Sequence, residues 1–185
     1  MTGREAIRIV FSFVKEEPVV VATGHIARAA QAVQDRDENF YVIGSMGMVC
    51  SIASGIAIAR PTRKVIALDG DGAVLMNLGA LPTAVALGLT NLVHIVIDNR
   101  SYESTGGQPT FTNTIRLEKI AKASGYRFAL SVSSEAKLQS ALPKLLKARG
   151  PSFLLVRVEH DAGEPAPRVK ADPEAITRRF AASLS

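Results

Sequence analysis

Two short stretches hold the side chains most able to do chemistry. "LDGDGAV", Leu68 to Val74, sets two carboxylates among two glycines, and Asn99 closes the later run "HIVIDN". One helical segment and one strand-like segment separate Asp71 from Asn99. That is the spacing of one βαβ unit, so both side chains should reach the same end of two strands in one sheet. Such a site offers one carboxylate, one side-chain amide, nearby backbone carbonyls and the free N–H groups of a helix start. Magnesium takes one or two carboxylates and fills its shell with substrate phosphates and water. A helix start favours phosphate. The physical reading is a magnesium–diphosphate site. A calcium EF-hand fails on its count, because from Asp69 the glycine position falls on Val74 and the bidentate glutamate position on Ala80. A dinucleotide fingerprint fails too, since no G-x-G-x-x-G follows a strand. Taken alone, Gly70-Asp71-Gly72 fits a tight Asp/Gly turn equally well.

The elements that must position these residues alternate regularly. Thr2 and Glu5 form a T-x-x-E capping box, which predicts a helix from about Gly3 to Lys15, ended by Pro18. "PVVVAT" reads as a buried strand that stops at Thr23-Gly24, before a helix over Ile26 to Gln34. "NFYVIG" is the next strand and Met46 to Arg60 the next helix. "KVIALD" is a strand, and "AVLMNLGALPTAVALG" is one helix that Pro82 could kink. "LVHIVIDN" is a strand, and "RSYESTGGQPTFTN" a polar loop. Leu117 to Ser124 is helical, "YRFAL" a strand, Ser134 to Ala148 a helix and "SFLLVRV" the last strand. Residues 159–185 form a loop and helix extension, the helix opening on Asp172 as N-cap and Pro173. Strands alternating with helices predict an α/β three-layer sandwich with a mostly parallel central sheet, one domain over residues 1–185. Ligands of such folds gather at the carboxyl ends of the strands, here Thr23-Gly24-His25, Gly44-Ser45-Met46, Asp69 to Gly72 and the loop from Asn99.

Composition narrows the function classes. The chain has 185 residues, 47% hydrophobic and only 5% aromatic, which suits helices packed on a buried parallel sheet. The formal charge of +5 is scattered, with no basic run longer than Arg178-Arg179, so no nucleic-acid partner is expected. Val42 to Ala59 is uncharged but rich in Gly, Ser and Ala, and reads as a buried helix rather than a membrane span. The single cysteine, Cys50, excludes an intrachain disulfide framework and suits a reducing cytosol. The first residues lack a signal-peptide core, so a cytoplasmic protein is expected.

Gly70-Asp71-Gly72, followed after 26 residues by Asn99, resembles the thiamine-diphosphate motif. "GSMGM", "LDGDGAVLMNLGAL", "HIVIDN" and "YESTGGQPT" resemble the C-terminal, diphosphate-binding domain of the phosphonopyruvate and sulfopyruvate decarboxylase family. The likeness extends over nearly the whole chain, to the tail "PRVKADPEAITRRFAASL". It implies thiamine diphosphate and Mg2+ as cofactors. A turn alone explains neither the partner Asn99 nor its place at a strand end.

The resemblance implies roles residue by residue. Asp71 and Asn99 would bind Mg2+ through side chains and Ser101 through its carbonyl, at a position where the family often has Gly. Gly70, Gly72 and Ala73 would give backbone contacts to the diphosphate, although Ala73 lacks the hydroxyl many relatives carry. Thr23 and Gly24 match the first phosphate-side loop, where Ala27-Arg28 stands in place of a Ser-Arg pair. The Gly44 carbonyl would accept the aminopyrimidine amino group. Met46, after Ser45, would be the apolar wedge that bends the cofactor. His25 could face a phosphate or the substrate. Tyr102, Glu103, Ser104 and Thr105 sit where a loop could close over the cofactor, with Gly106-Gly107 serving backbone geometry. Asp69 reads as strand-end support, and His94 and Cys50 as core residues. Arg28, Arg100 and Arg168 are candidates for a substrate anion.

In the family, a glutamate of a second, pyrimidine-type domain acts on the aminopyrimidine, and this chain has room for one such domain only. The resemblance therefore implies a β-type subunit of a hetero-oligomer, its active site shared with an α-type pyrimidine-domain subunit. It would decarboxylate a small 2-oxo acid. Carboligation, oxidative decarboxylation and a non-catalytic cofactor-binding role stand as alternatives.

Overall fold

The computed structural model describes residues 1–160, 163, 166–170 and 172–185. The elements in chain order are α1 (Gly3–Phe13), β1 (Val19–Val21), α2 (His25–Val33), β2 (Asn39–Tyr41), α3 (Val49–Ala59), β3 (Val65–Gly70), α4 (Asp71–Met76) and α5 (Ala80–Ala86). β4 (Leu92–Asp98), a hairpin of β5 (Ser101–Tyr102) and β6 (Gln108–Pro109), α6 (Leu117–Ala123), β7 (Phe128–Val132), α7 (Glu135–Lys147), β8 (Ser152–Arg157) and α8 (Pro173–Ser183) follow. Six strands form one sheet in the order β2-β1-β3-β4-β8-β7, every neighbouring pair parallel.

Burial on both faces explains the near-continuous apolar runs of the central strands. Along β3, Ile66 and Leu68 join the core beneath α1, α2 and α7, while Val65 and Ala67 join the core beneath α3, α5 and α6. The six residues of β3 and the seven of β4 are all buried. β7 is an edge strand and is largely exposed. Among the described residues no helix is long and apolar enough to cross a membrane.

The capping box at Thr2 forms as the sequence predicts. Glu5 N donates to Thr2 Oγ1 at 3.3 Å and Thr2 N to Glu5 Oε2 at 2.8 Å, satisfying two helix-end donors. Asp172 is the N-cap of α8 with Pro173 behind it, but its side chain makes no capping hydrogen bond. α8 docks on the β2 edge. Phe180 packs tilted against Phe40, ring centroids 5.3 Å apart, and Arg179 grips Asp35 with Nη2–Oδ1 at 2.9 Å and Nη1–Oδ2 at 3.3 Å. The guanidiniums of Arg60 and Arg63 close its far end on the carbonyls of Leu184 and Ser183.

Three expectations need correction. The helix expected from Met46 begins at Val49, because Gly44 and Gly47 adopt positive φ (90° and 89°) and hold residues 44–48 in a turn. The helix expected over Ala73 to Gly88 is two helices. Asn77 leaves helical geometry and donates to Gly47 O at 3.1 Å, tying the break to that turn. Pro82 does not cause the break. It is the third residue of α5, where a backbone N–H has no helical partner to lose. The polar loop after Asn99 contains the β5–β6 hairpin, reversed at Gly106 and Gly107 with φ of 121° and 78°.

Candidate functional site

β1 is flanked by β2 on one side and β3 on the other, so the chain reverses its direction of winding between β1 and β3. The strand exits diverge there and leave a crevice. A cavity of about 410 Å3 lies at this place. Thr23 and His25 reach it from the exit of β1, Met46 from the turn after β2, and Gly70, Asp71, Gly72 and Ala73 from β3 and α4. Asn99, Ser101, Tyr102 and Ser104 reach it from the exit of β4 and the hairpin.

Four of the residues expected to contact the cofactor lie outside that lining. Gly24 is the N-cap of α2 at φ 78°, and a Cβ there would stand 3.3 Å from Ser104 Oγ, so its bare backbone lets the hairpin close in. Gly44 is exposed and its N–H donates to Thr23 Oγ1 at 3.4 Å, which sets the two loops side by side. Ser45 is exposed, and its carbonyl accepts from Met48 N at 3.2 Å. Thr105 turns its hydroxyl to Tyr102 O at 3.2 Å and serves the hairpin turn.

Gly70 and Ile97 are paired across β3 and β4, which brings Asp71 beside Asp98 and Asn99. Asp71 and Asp98 are both buried. Two threonines hold them. Thr110 donates to Asp71 Oδ2, and Thr112 donates to Asp98 Oδ1 at 2.8 Å. Asp98 also accepts from Arg100 N at 3.1 Å and faces Arg157 Nη1 at 3.5 Å. Burial pushes the Asp71 carboxyl well above the usual carboxylate range. The neighbouring Asp98 adds to the rise, while hydrogen bonds from Thr110 and Gly72 oppose it. A carboxylate so placed is favoured by a cation.

The donor set fits magnesium. Asp71 could supply a carboxylate, Asn99 an amide oxygen, which accepts from Ser101 N at 3.0 Å, and Ser101 a carbonyl. Among the described residues no group of three or more His, Cys, Asp or Glu could hold a metal, which argues against a thiolate or imidazole cage. A single-carboxylate site that draws its remaining oxygens from a phosphate agrees with this. The turn that brings Ser101 round is made by Arg100, at φ 63°, so Ser101 itself stands without strain. At Gly72 the room is tight: an added Cβ would come within 2.7 Å of Tyr102 Cδ1, so the ring lies directly on that backbone.

Beneath the site, Asp69 accepts from Gly70 N at 2.9 Å and meets His94 Nε2 at 3.1 Å. His94 is fully buried, with Phe153 edge-on at 5.3 Å. Burial alone would lower the His94 pKa, but Cys50 and Asp69 raise it to about 10. Cys50 is buried, its Sγ 3.8 Å from Ala80 O and Tyr126 Oη. His94 and Cys50 are interior residues, as the sequence suggested, and Asp69, read as strand-end support, is buried near the end of β3.

The sequence reading missed several groups. Arg4 and Glu159 line the cavity, as does His160 at the exit of β8. β8 lies next to β4 with parallel direction, so its exit loop had to end at the same edge; that signal was present in the alternation. Thr110 ends the run "YESTGGQPT" without a role there, and Thr112 lies beyond it in no motif. Of the arginines suggested for a substrate anion, Arg28, Arg100 and Arg168 do not line the cavity, and Arg100 instead donates to Val158 O at 3.3 Å.

Comparison with known proteins agrees with this geometry. A family model described as thiamine pyrophosphate enzyme, C-terminal TPP binding domain, matches residues 22–156. Phosphonopyruvate decarboxylase of Streptomyces viridochromogenes is 37% identical over 96% of this chain, which spans 45% of that protein. Sulfopyruvate decarboxylase subunit beta of Methanothermobacter thermautotrophicus is 36% identical over 95% of this chain and 91% of its own length. Among solved structures, benzoylformate decarboxylase of Polynucleobacter necessarius superposes with a TM-score of 0.72 at 20% identity, over 86% of this chain and 33% of that one. The last likeness is one of fold.

Proposed function

We propose, because this chain belongs to the thiamine pyrophosphate enzymes as a C-terminal TPP binding domain, that it is the β-type subunit of a thiamine-diphosphate- and Mg2+-dependent 2-oxo acid decarboxylase. The pairing of Asp71 with Asn99, at the ends of adjacent parallel strands and in one cavity, carries the reading. Thiamine diphosphate, when bound, supplies the electron sink for loss of carbon dioxide from a 2-oxo acid.

The chain's own residues bind and orient. Asp71, Asn99 and the Ser101 carbonyl hold Mg2+. The backbone at Gly70, Gly72 and Ala73, with Thr23 and Gly24, holds the diphosphate. The Gly44 carbonyl would hold the aminopyrimidine amino group and Met46 would pack against the cofactor, with Ser45 supporting that turn. The hairpin carrying Tyr102, Ser104 and Thr105 covers the site and excludes water.

The split site is part of the proposal. A pyrimidine-domain subunit supplies the catalytic glutamate. The Methanothermobacter relative, matched over 91% of its length, is itself named a subunit beta. Exposed Ile43, Met48 and Met76 gather about the Gly44–Met48 turn, the face such a subunit would cover. The substrate is a small 2-oxo acid of the kind the relatives' names describe. Two measurements test the reading. Calorimetric titration with thiamine diphosphate and Mg2+ should show binding, and decarboxylation should appear only when the partner subunit is added. Full activity of the isolated chain would overturn the shared site.

A further inference from the structure

The strand that delivers Asp71 outlasts its neighbour. β1 and β3 pair as far as Val21 and Leu68, whereas β3 and β4 pair on to Gly70 and Ile97. Ile66 N donates to Pro18 O at 2.9 Å, so the donor four residues on, Gly70 N, would meet Ala22 O if the ladder continued. β1 has ended by then, and Gly70 N donates to Asp69 Oδ1 at 2.9 Å. Gly70 is buried, and a buried N–H without an acceptor is costly. Glycine is also the residue freest to leave strand geometry, and here it is the last one before Asp71. The Asp69 carboxylate thus restrains the peptide from which Asp71 departs.

Asp69 is itself held from the next strand. Its Oδ2 meets His94 Nε2 at 3.1 Å, and because an ionised carboxylate only accepts, the ring gives Nε2–H. His94 sits within β4, fully buried, with Phe153 edge-on at 5.3 Å. Neither Asp69 nor His94 lines the cavity. Packing alone does not account for the pair, since two aliphatic side chains fill the same space without desolvating a carboxylate.

We infer that His94 is a positioning residue for the Asp71 loop: by holding Asp69 it fixes the Gly70 N–H, and with it the direction in which Asp71 and Gly72 leave the sheet. What the loop holds rests on the proposed function; the relay itself is readable without any cofactor.

Amide hydrogen exchange and calorimetry on the whole chain test this, with the Ile66 N–H as the reference for global opening. In the wild type the Gly70 N–H should exchange slowly, like that of Ile66. His94→Phe keeps a ring but removes the donor, and should speed Gly70 exchange by about tenfold or more relative to Ile66. The same variant should weaken Mg2+-dependent binding of thiamine diphosphate by about tenfold or more. His94→Gln places an amide N–H near the position of Nε2 and should restore both. Phe153→Leu, a core change beside His94, should lower the melting temperature and move neither readout. If His94→Phe does not fold, Asp69→Ala, which removes the acceptor, must give the same two losses. Fast Gly70 exchange in the wild type, an acceleration shared equally by Gly70 and Ile66, unchanged cofactor affinity in His94→Phe, or no recovery in His94→Gln would overturn the positioning role. A wild-type chain that protects Gly70 but binds no thiamine diphosphate would sink the cofactor reading and leave the relay standing.

Discussion

Thr112 holds Asp98 through a hydrogen bond of 2.8 Å, and with Thr110 on Asp71 it fastens the segment after β6 beneath both strand-end acids. Phe111, between the two threonines, is exposed with φ 63°, a conformation rare for a bulky residue. Both neighbours of Phe111 are turned inward to the acids.

Thr112→Val should therefore destabilise the protein by about 1–3 kcal/mol, since it leaves a buried carboxylate short of a donor. Thr112→Ser should recover most of the loss, because it restores the hydroxyl. Urea denaturation of the three proteins checks this.

Asp71→Asn should lower Mg2+-dependent affinity for thiamine diphosphate by at least about tenfold, roughly 1.4 kcal/mol. The same variant should melt higher than the wild type without metal, because burial and Asp98 both penalise the carboxylate. Calorimetry and thermal melts read the two effects. An affinity insensitive to the substitution would sink the metal assignment.

Gly72→Ala should displace the hairpin, since the new Cβ meets the Tyr102 ring. The cost should be about 1–3 kcal/mol. Tyr102→Ala in the same chain should relieve part of it, so the double variant falls short of the sum of the single losses. Thermal denaturation of all four proteins measures the coupling.

Arg179→Met should loosen α8 in a pH-dependent way. Burial alone would raise the Asp35 pKa, but hydrogen bonds from Arg179 and Tyr41 outweigh it and hold the carboxyl below its ordinary 3.8. A folded-state pKa below the unfolded one gives stabilisation that is present above the unfolded value and lost as pH falls through the folded one. The stability gap between variant and wild type should be about 0.2–1 kcal/mol near neutral pH, given the partial exposure of both groups, and should close in acid. Denaturation series across that range test the sign.

His94→Leu should cost about 3 kcal/mol or more, because it strands the buried Asp69 carboxylate. Urea denaturation of the single variant and of the Asp69→Leu, His94→Leu pair separates the lost interaction from the unpaired charge. The pair should be less damaged than the single variant.

The sequence by itself determined the alternation of strands and helices, the parallel sheet, the Thr2–Glu5 cap and the reach of Asp71 and Asn99 to one sheet edge. These follow from periodicity, capping chemistry and βαβ spacing, which act over a turn or a single crossover. It misjudged the run from Ala73 to Gly88, because the break at Asn77 is made by a hydrogen bond to Gly47, a residue of another loop. Tertiary structure alone decided that β1 and β3 bound the switch point, that Thr110 and Thr112 grip the two acids, and that Glu103 joins His25 to His160. Those relations depend on which strands become neighbours, and strand order is settled by packing across the whole sheet rather than by any local pattern of residues.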